Sequence, residues 1–228
     1  MPKVQKIPIK THLIVPGDDI IEVVEHYVRP YLLQNDIIIV TSKIVSICQR
    51  RIRHFDRIRV GWWAKLLWRY VTVPKFGIGA IGLPEKMQAA IDIAELPRII
   101  LSAIVAGITR TLLKRRGDFF RVAGHSVAEI DGSRILTFEQ YCRVIIYGPQ
   151  NGNAVAEAIR KKLGAEVAII DAGDYGNVDI LGASSGLDFR QRHWIIESCR
   201  DNPLGQTMEM TPVGILRVVA TGGSERGK

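Results

Sequence analysis

A continuous β-branched segment in the first quarter of the chain constrains the fold more than any other feature. Ile37 to Val40 reads IIIV, a pattern typical of a strand that is buried on both faces. Open α/β sheets bind ligands at the carboxyl ends of their strands, where backbone N–H groups, hydroxyls and an ammonium group suit an anion. A polar turn after a strand is also common without any such role. We predict a phosphate site in Ile37 to Ser46, made by Thr41, Ser42 and Lys43.

The remaining pattern predicts a mixed α/β (α+β) fold. Val155, Ile159 and Leu163 share one helical face, and Gly164 follows as a stop signal. Gly, Asp and Ser turns after Gly117 favour antiparallel strands from Phe119 to Ile135. The other predicted strands are Ile7–Ile14, Arg143–Tyr147, Val167–Ile170 and Gly214–Ala220, and the predicted helices begin near Ile20, Pro84, Ile99, Asn153 and Phe189.

Size and charge restrict the class of protein. The 228 residues suffice for one large domain or two small joined ones, and 47% hydrophobic residues with 24% charged ones are typical of a globular protein. Three widely spaced cysteines argue against a disulfide framework, and no segment has the length of a membrane span, so we expect a cytoplasmic protein. The net charge of +8 favours anionic partners, but no recognition motif makes nucleic acid the expected one.

Two short motifs suggest other enzyme classes. Gly77, Gly79 and Gly82 match a dinucleotide-binding loop, but Pro74 interrupts the approach and no acidic residue ends a clear second strand. Residues 182–186 read GASSG and match a nucleophile elbow, although Asp188 and His193 follow too closely for a catalytic triad. We interpret the first motif as a flexible or tightly packed glycine loop, and the second as a Ser-Gly turn that lies near phosphate or in a structural loop.

Three of the four tryptophans form a cluster with basic residues. Trp62, Trp63 and Trp68 lie near Lys65 and Arg69 in a segment that suits a lid, a dimer contact or a membrane-surface helix. Packing within the protein or within a dimer is the simplest interpretation. Lys114, Arg115 and Arg116 end an apolar helix, where cations complement the helix dipole.

The candidate chemical groups lie at predicted strand ends. His12 follows the first strand and could stack on a ligand, although a locally satisfied histidine is the commoner case. Two of the three aspartates Asp131, Asp171 and Asp174 would suffice to bind Mg²⁺ together with phosphate oxygens. Asp131 and Asp174 precede or lie near glycines and are also explained as turn residues. Asp171 directly follows an apolar strand, so a structural role explains it least well.

Four segments in order resemble the family of glutamate ligases of the deazaflavin coenzyme F-420. The segments are THLIVPGDDI at 11–20, NDIIIVTSKIVS at 35–46, EIDGS at 129–133 and VAIIDA at 167–172. The resemblance implies a single ligase-like domain over residues 1–228, a mixed sheet and an intertwined homodimer. It also implies GTP as co-substrate with Mg²⁺ or Mn²⁺, and an acyl phosphate that joins glutamate to a carboxylate acceptor.

Site residues are also implied by the resemblance. The nucleotide would contact Thr11, His12, Leu13, Ile14 and Arg134, and its phosphates would contact Thr41, Ser42 and Lys43. The metal would bind Asp131 and Asp171. Lys43 and Asp171 would be the catalytic residues.

The chain departs from the family pattern in three places. Ile47, Cys48, Gln49 and Arg50 stand where Lys-Ala-Glu-Gly is usual, Ala172 replaces a metal-binding threonine and Arg134 replaces an asparagine. Either Lys43, Arg50 and Arg51 replace the lost charge and a ligase with altered substrate remains, or the chain is a nucleotide-binding or membrane-surface protein with weakened catalysis.

Overall fold

A computed structural model describes residues 3–71, 81–115, 117–132, 141, 143–173, 176–205 and 209–219. The chain divides into two compact units. Residues 1–50 and 149–228 form the first, which we call the sheet unit, and residues 51–148 form the second, the helical unit. The single domain over 1–228 stays a prediction.

Strands of the described residues form one five-stranded sheet in the sheet unit and one two-stranded sheet in the helical unit. Both units also contain helices, so the mixed α/β prediction is confirmed. The strands are β1 (Lys3–Ile9), β2 (Ile37–Thr41), β3 (Ile52–His54), β4 (Val144–Ile146), β5 (Glu166–Ala172), β6 (Val178–Ala183) and β7 (Val213–Val219). The helices are α1 (Ile20–Val28), α2 (Ser42–Cys48), α3 (Trp62–Leu67), α4 (Pro84–Ala94), α5 (Leu96–Leu112), α6 (Asp118–Ala123), α7 (His125–Ala128), α8 (Gly152–Leu163) and α9 (Phe189–Ser198).

The large sheet has the order β1-β7-β2-β5-β6 and mixes strand directions. Strand β2 is parallel to β5, whereas β7 is antiparallel to both β1 and β2, and β6 is antiparallel to β5. All four residues of Ile37 to Val40 are buried, because β2 has a strand on each side and helices over the sheet. The predicted central strand is therefore confirmed.

Helices cover both faces of this sheet. Ile195 and Cys199 of the α9 region pack with Ile37 and Ile39 in one core cluster, and α1 and α8 pack together against strands of the sheet. Helix α1 begins where the Asp19 side chain accepts a hydrogen bond from the backbone N–H of Ile21.

Several predicted elements are confirmed and two are wrong. Helix α8 ends at Gly164, whose φ of 78° is the left-handed conformation that glycine adopts readily. The first strand occupies Lys3–Ile9 rather than Ile7–Ile14, because β7 ends its pairing at Ile9. Antiparallel strands within Phe119–Ile135 are also wrong where the chain is described, since α6 and α7 lie there.

The helical unit has its own core. Ala123 of α6 and Val127 of α7 are buried in a cluster with Met87 and Ile99. Gly124, with a φ of 103°, separates the two helices, so the turn signal in this segment joins helices and not strands. None of the described helices is long and apolar enough to cross a membrane.

A buried ion pair joins the beginning of β2 to β7. The Asp36 carboxylate is 1% exposed and accepts hydrogen bonds from Arg217 Nε at 2.9 Å and Nη2 at 2.8 Å. It also accepts the backbone N–H of Leu33 at 2.8 Å. The pKa of the Arg217 guanidinium is raised by these bonds to Asp36. Asp36 therefore ties the loop before β2 to the neighbouring strand.

We predict that Asp36→Ala lowers the free energy of unfolding by about 2 kcal/mol, because the Leu33 N–H loses its acceptor and Arg217 retains its bond to the Tyr31 carbonyl but loses its carboxylate. Urea unfolding measures the change. Asp201→Ala, which removes the partner of Lys6 from an exposed pair, is the control and should cost less than about 1 kcal/mol. Equal losses in the two variants would contradict the role of Asp36.

Candidate functional site

Three strands of the sheet unit end at the same edge of the sheet. Because β7 is antiparallel to both β1 and β2, those two strands point the same way, and β5 is parallel to β2. Thr11 follows the end of β1, Thr41 ends β2, and Asp171 lies one residue before the end of β5. The structure therefore brings these three predicted site residues to one edge.

Backbone hydrogen bonds fix the spacing along this edge. The Thr11 N–H donates to the Met210 carbonyl, and the Thr41 N–H donates to the Pro212 carbonyl, each at 2.9 Å. The segment before β7 thus lies between the two threonines. Two strand spacings place their backbones roughly 10 Å apart, which is a suitable width for a small ligand with several phosphates.

Helix α2 begins directly at the end of β2. Thr41 is its N-cap residue, with extended φ and ψ of −69° and 137°, and Ser42 and Lys43 are the first helical residues. Ser42 is buried and Lys43 is exposed. In a first helical turn the backbone N–H groups point away from the helix, here towards the edge of the sheet.

Residues Thr11 to Ile14 lie outside helices and strands, between β1 and α1. Thr11 and Ile14 are buried, and the Thr11 hydroxyl donates to the His12 carbonyl at 2.8 Å. His12 is exposed and Leu13 is half-buried. Backbone atoms and the two less buried side chains are therefore the groups that this segment can offer to a ligand.

The His12 ring is held at both nitrogens. Its Nε2 lies 3.1 Å from an Asp18 carboxylate oxygen and its Nδ1 lies 3.0 Å from the Tyr27 hydroxyl, which also accepts the His12 backbone N–H. An ionised carboxylate only accepts, so the neutral ring carries its proton on Nε2, and Nδ1 accepts from Tyr27. The ring faces, rather than the ring nitrogens, remain for stacking on a ligand.

Asp171 faces a second carboxylate that we did not predict. In the antiparallel pairing of β5 with β6, Asp171 is directly opposite Asp179, and both are exposed. Opposite residues in such a pair project to the same face with Cβ atoms about 5 Å apart, and like charges there are destabilising. A bound cation would remove that repulsion. Two carboxylates with water and phosphate oxygens suit Mg²⁺.

The other predicted metal ligand belongs to the helical unit. Asp131 pairs with Ile146 through backbone hydrogen bonds, and its carboxylate accepts the Gly132 N–H at 2.6 Å. Gly132 has a φ of 117°, so Asp131 also forms the turn that the sequence suggested. Arg134 and Asp174 lie outside the described residues. Within the described residues, no cluster of three or more histidine, cysteine or acidic residues could hold a metal.

Two departures from the family pattern serve packing. Ile47 is buried, so an apolar side chain fits where a lysine is usual. Gln49 binds the backbone of Gln150 twice, donating from Nε2 to its carbonyl and accepting its N–H at Oε1, each at 2.8 Å. A glutamate could not donate the first of these bonds. Burial raises the pKa of Cys48 to about 12, so its thiol stays protonated at neutral pH.

The GASSG motif is structural. Ser184 is buried, and its hydroxyl donates to Glu166 at 2.5 Å and accepts the Val167 N–H at 2.8 Å. Gly182 packs directly on Gly152 at the start of α8, where a Cβ atom would clash with backbone. The serine at the nucleophile position of the motif is therefore buried and held by these bonds. The dinucleotide motif falls mainly outside the described residues, because only Gly82 of its three glycines is described.

The tryptophans differ in their surroundings. Trp62 and Trp63 are exposed and contact each other edge to face at 4.8 Å, whereas Trp68 packs against the core of the helical unit. Internal packing is thus confirmed for Trp68. A membrane contact, if one exists, would use Trp62 and Trp63 in preference to Trp68.

We predict a pH-dependent contribution from Asp18 to stability. Its pKa is lowered mainly by the hydrogen bond from the Val15 N–H and further by His12, while burial opposes the change. A lowered pKa adds stability above the unfolded value of 3.8, and that stability is lost as pH falls through the folded value. Asp18→Asn should therefore be less stable than wild type at pH 7 and approach it in acid.

Urea unfolding at about pH 7 and about pH 3 measures this difference. Asp56→Asn, which removes an exposed carboxylate from the helical unit, controls for the loss of charge alone. A destabilisation by Asp18→Asn that persists unchanged in acid would contradict the linkage.

Comparison with known families agrees with these observations. The family model described as F420-0:Gamma-glutamyl ligase matches residues 8–172, well over half of the chain. The match contains Thr11 to Ile14, Thr41 to Lys43, Asp131 and Asp171, whereas Asp179 lies beyond its end. A comparison with curated proteins gives no match. The chain therefore belongs to the F420-0:gamma-glutamyl ligase family, which indicates a ligase.

Proposed function

We propose that the strand-end edge of the sheet unit binds the phosphates of GTP, and that the chain is a metal-dependent ligase that adds glutamate to a carboxylate acceptor. One observation carries the proposal. The ends of β1, β2 and β5 lie at one edge of the sheet, within the region that the family model matches. Ligands of open α/β sheets bind at such edges.

The phosphates would lie against the beginning of α2. The first-turn N–H groups, the Thr41 and Ser42 hydroxyls and the Lys43 ammonium are the donors available there. An exposed lysine supplies a point charge that neutralises developing charge on a transferred phosphoryl group. Lys43 is therefore the proposed catalytic cation, while Thr11 to Ile14 would hold the base and ribose.

The pair of Asp171 and Asp179 fits a divalent cation. When bound, Mg²⁺ or Mn²⁺ would supply positive charge to the nucleotide phosphates. The two carboxylates would hold it at the end of β5, next to the end of β2. Asp131 as a further ligand stays a prediction, as do the roles of Arg134 and the homodimer.

The proposed reaction has two steps. An acceptor carboxylate oxygen attacks the γ-phosphorus of GTP, so that GDP leaves and an acyl phosphate forms. The glutamate amine then attacks the acyl carbon, the C–O bond to phosphate breaks, and the amine loses a proton as the amide forms. In both steps Lys43 would offset negative charge on the phosphoryl oxygens.

The alternative is a nucleotide-binding protein with weakened catalysis. It is favoured by two observations, because Ile47 is buried and uncharged and Ala172 offers no hydroxyl at the end of β5. These substitutions remove polar groups from the region that would contact metal and phosphate. Asp179 could compensate for Ala172, since it supplies an oxygen ligand beside Asp171.

We predict phosphate release that depends on the acceptor when the protein is incubated with GTP, Mg²⁺, glutamate and carboxylate acceptors. Lys43→Ala should weaken nucleotide binding roughly 10- to 100-fold, because it removes a charge-assisted hydrogen bond. Lys161→Ala, at an exposed position of α8, is the matched control and should bind like wild type. Calorimetric titration with GTP and with ATP measures the affinity.

The two readouts separate the alternatives. Binding that depends on Lys43 without acceptor-dependent phosphate release would favour the binding protein over the ligase. Nucleotide binding that is unaffected by Lys43→Ala would contradict the site itself.

We also predict that Asp171→Asn and Asp179→Asn each weaken Mn²⁺ binding at least about tenfold, because each removes an anionic oxygen ligand. Titration with Mn²⁺, followed by its paramagnetic resonance signal in the presence of nucleotide, measures the affinity without turnover. Asp201→Asn is the matched control, since Asp201 is an exposed aspartate of the sheet unit that pairs with Lys6. Unchanged Mn²⁺ affinity in both variants would contradict the carboxylate pair.

A further inference from the structure

Helix α5 of the helical unit carries an apolar stripe on its exposed side. Leu101, Ile104, Ile108 and Leu112 are 53%, 53%, 51% and 77% exposed. Their spacing of three, four and four residues places all four side chains within a narrow arc of the helix. The stripe is roughly 16 Å long at the rise of an α-helix.

This helix contributes little to the core of its unit. In its 17 residues, from Leu96 to Leu112, only Ile99 and Ser102 are buried. Leu113 extends the exposed apolar surface past the helix end, at 59% exposure. Large contiguous apolar surface on a folded protein marks a site of interaction.

The charges within α5 and directly after its C-terminal end have one sign, although Glu95 precedes the helix. The helix residues Leu96 to Leu112 include two arginines and no acidic residue, and Lys114, Arg115 and Arg116 follow in the sequence. Lys114 and Arg115 are exposed. Asp118 is the nearest acidic residue after the helix, and it is buried and paired with Arg115 and Arg121. The apolar stripe thus ends in a cationic cluster.

We infer that the α5 stripe docks on an anionic lipid surface. An apolar face bordered by lysine and arginine is the composition of helices that lie in the plane of a bilayer, with leucine and isoleucine among the acyl chains and cations at the headgroups. A second copy of the chain carries the same net charge of +8, whereas an anionic bilayer presents the opposite charge. Charge complementarity therefore favours the lipid.

The position of the stripe on one side of α5 agrees with attachment to the surface of a bilayer. The opposite side of α5 carries the buried Ile99 and Ser102, so only one face can enter the acyl region. Trp62 and Trp63 of the same unit are exposed aromatic residues of the type enriched at bilayer interfaces. Their contribution is tested separately from that of α5.

Cosedimentation with vesicles tests this inference on the full chain. With phosphatidylcholine vesicles that contain about 30% phosphatidylserine we expect binding, and with pure phosphatidylcholine at least tenfold weaker binding. The variant Ile104→Glu with Ile108→Glu should lose most of the binding. Its matched control is Leu33→Glu with Phe189→Glu, which puts the same charge on two exposed apolar residues of the sheet unit and should bind like wild type.

Lys114→Gln with Arg115→Gln tests the electrostatic part. It should weaken binding to the anionic vesicles roughly tenfold or more and leave the weak binding to neutral vesicles unchanged. Trp62→Ala with Trp63→Ala should reduce binding less than the α5 substitutions do. Circular dichroism of each variant confirms that the fold persists.

Two results would overturn the inference. The first is the absence of binding to anionic vesicles, or binding that the α5 variant retains. The second is a wild-type protein that is a dimer in sedimentation equilibrium and does not bind vesicles, together with an α5 variant that is a monomer. The stripe would then be an interface between copies of this chain.

Discussion

The pairing of β2 between β7 and β5 is the constraint on which the sheet unit depends. Four buried β-branched or apolar residues in a row, Ile37 to Val40, require a strand on each side and helices over both faces. Because one neighbour is antiparallel and the other parallel, β1, β2 and β5 all end at the same edge. Burial of one strand thereby places hydroxyls, a lysine and a carboxylate together.

Packing and chemistry compete at this edge, and the departures from the family pattern show where packing prevails. Ile47 is part of the core, and Gln49 forms hydrogen bonds with the backbone of Gln150. Neither residue supplies a charged group to a ligand. Asp171 and Asp179 are the opposite case, because both are exposed and stand directly across from each other in β5 and β6.

The sequence predicted those parts of the fold that follow from local pattern. Ile37 to Val40, the helix that ends at Gly164 and the position of Asp171 after an apolar strand were all predictable from periodicity and stop signals. Helices α6 and α7 were misinterpreted because the glycine turn between them is conspicuous, while helices of six and four residues are too short to show a clear helical period.

Contacts between distant residues were not predictable in this way. The sequence offers no signal that Tyr27 and Asp18 hold the His12 ring, since Tyr27 is fifteen residues away and its position depends on where α1 packs. Asp179 was missed because its importance comes from the register of β5 against β6, and β6 itself was not predicted. Register is set by pairing and turns, which single-sequence patterns specify poorly.

Amide chemical shifts measured during a GTP titration report where the nucleotide binds, and so they test whether it binds at the ends of β1, β2 and β5. The strand-end account predicts that the largest shifts occur together at Thr11 to Ile14, Ser42, Lys43 and Asp171. The sheet unit also has an open groove at the opposite edge, where Asn35, Glu166, Arg190 and Trp194 are among the lining residues. Shifts confined to that groove would contradict the account.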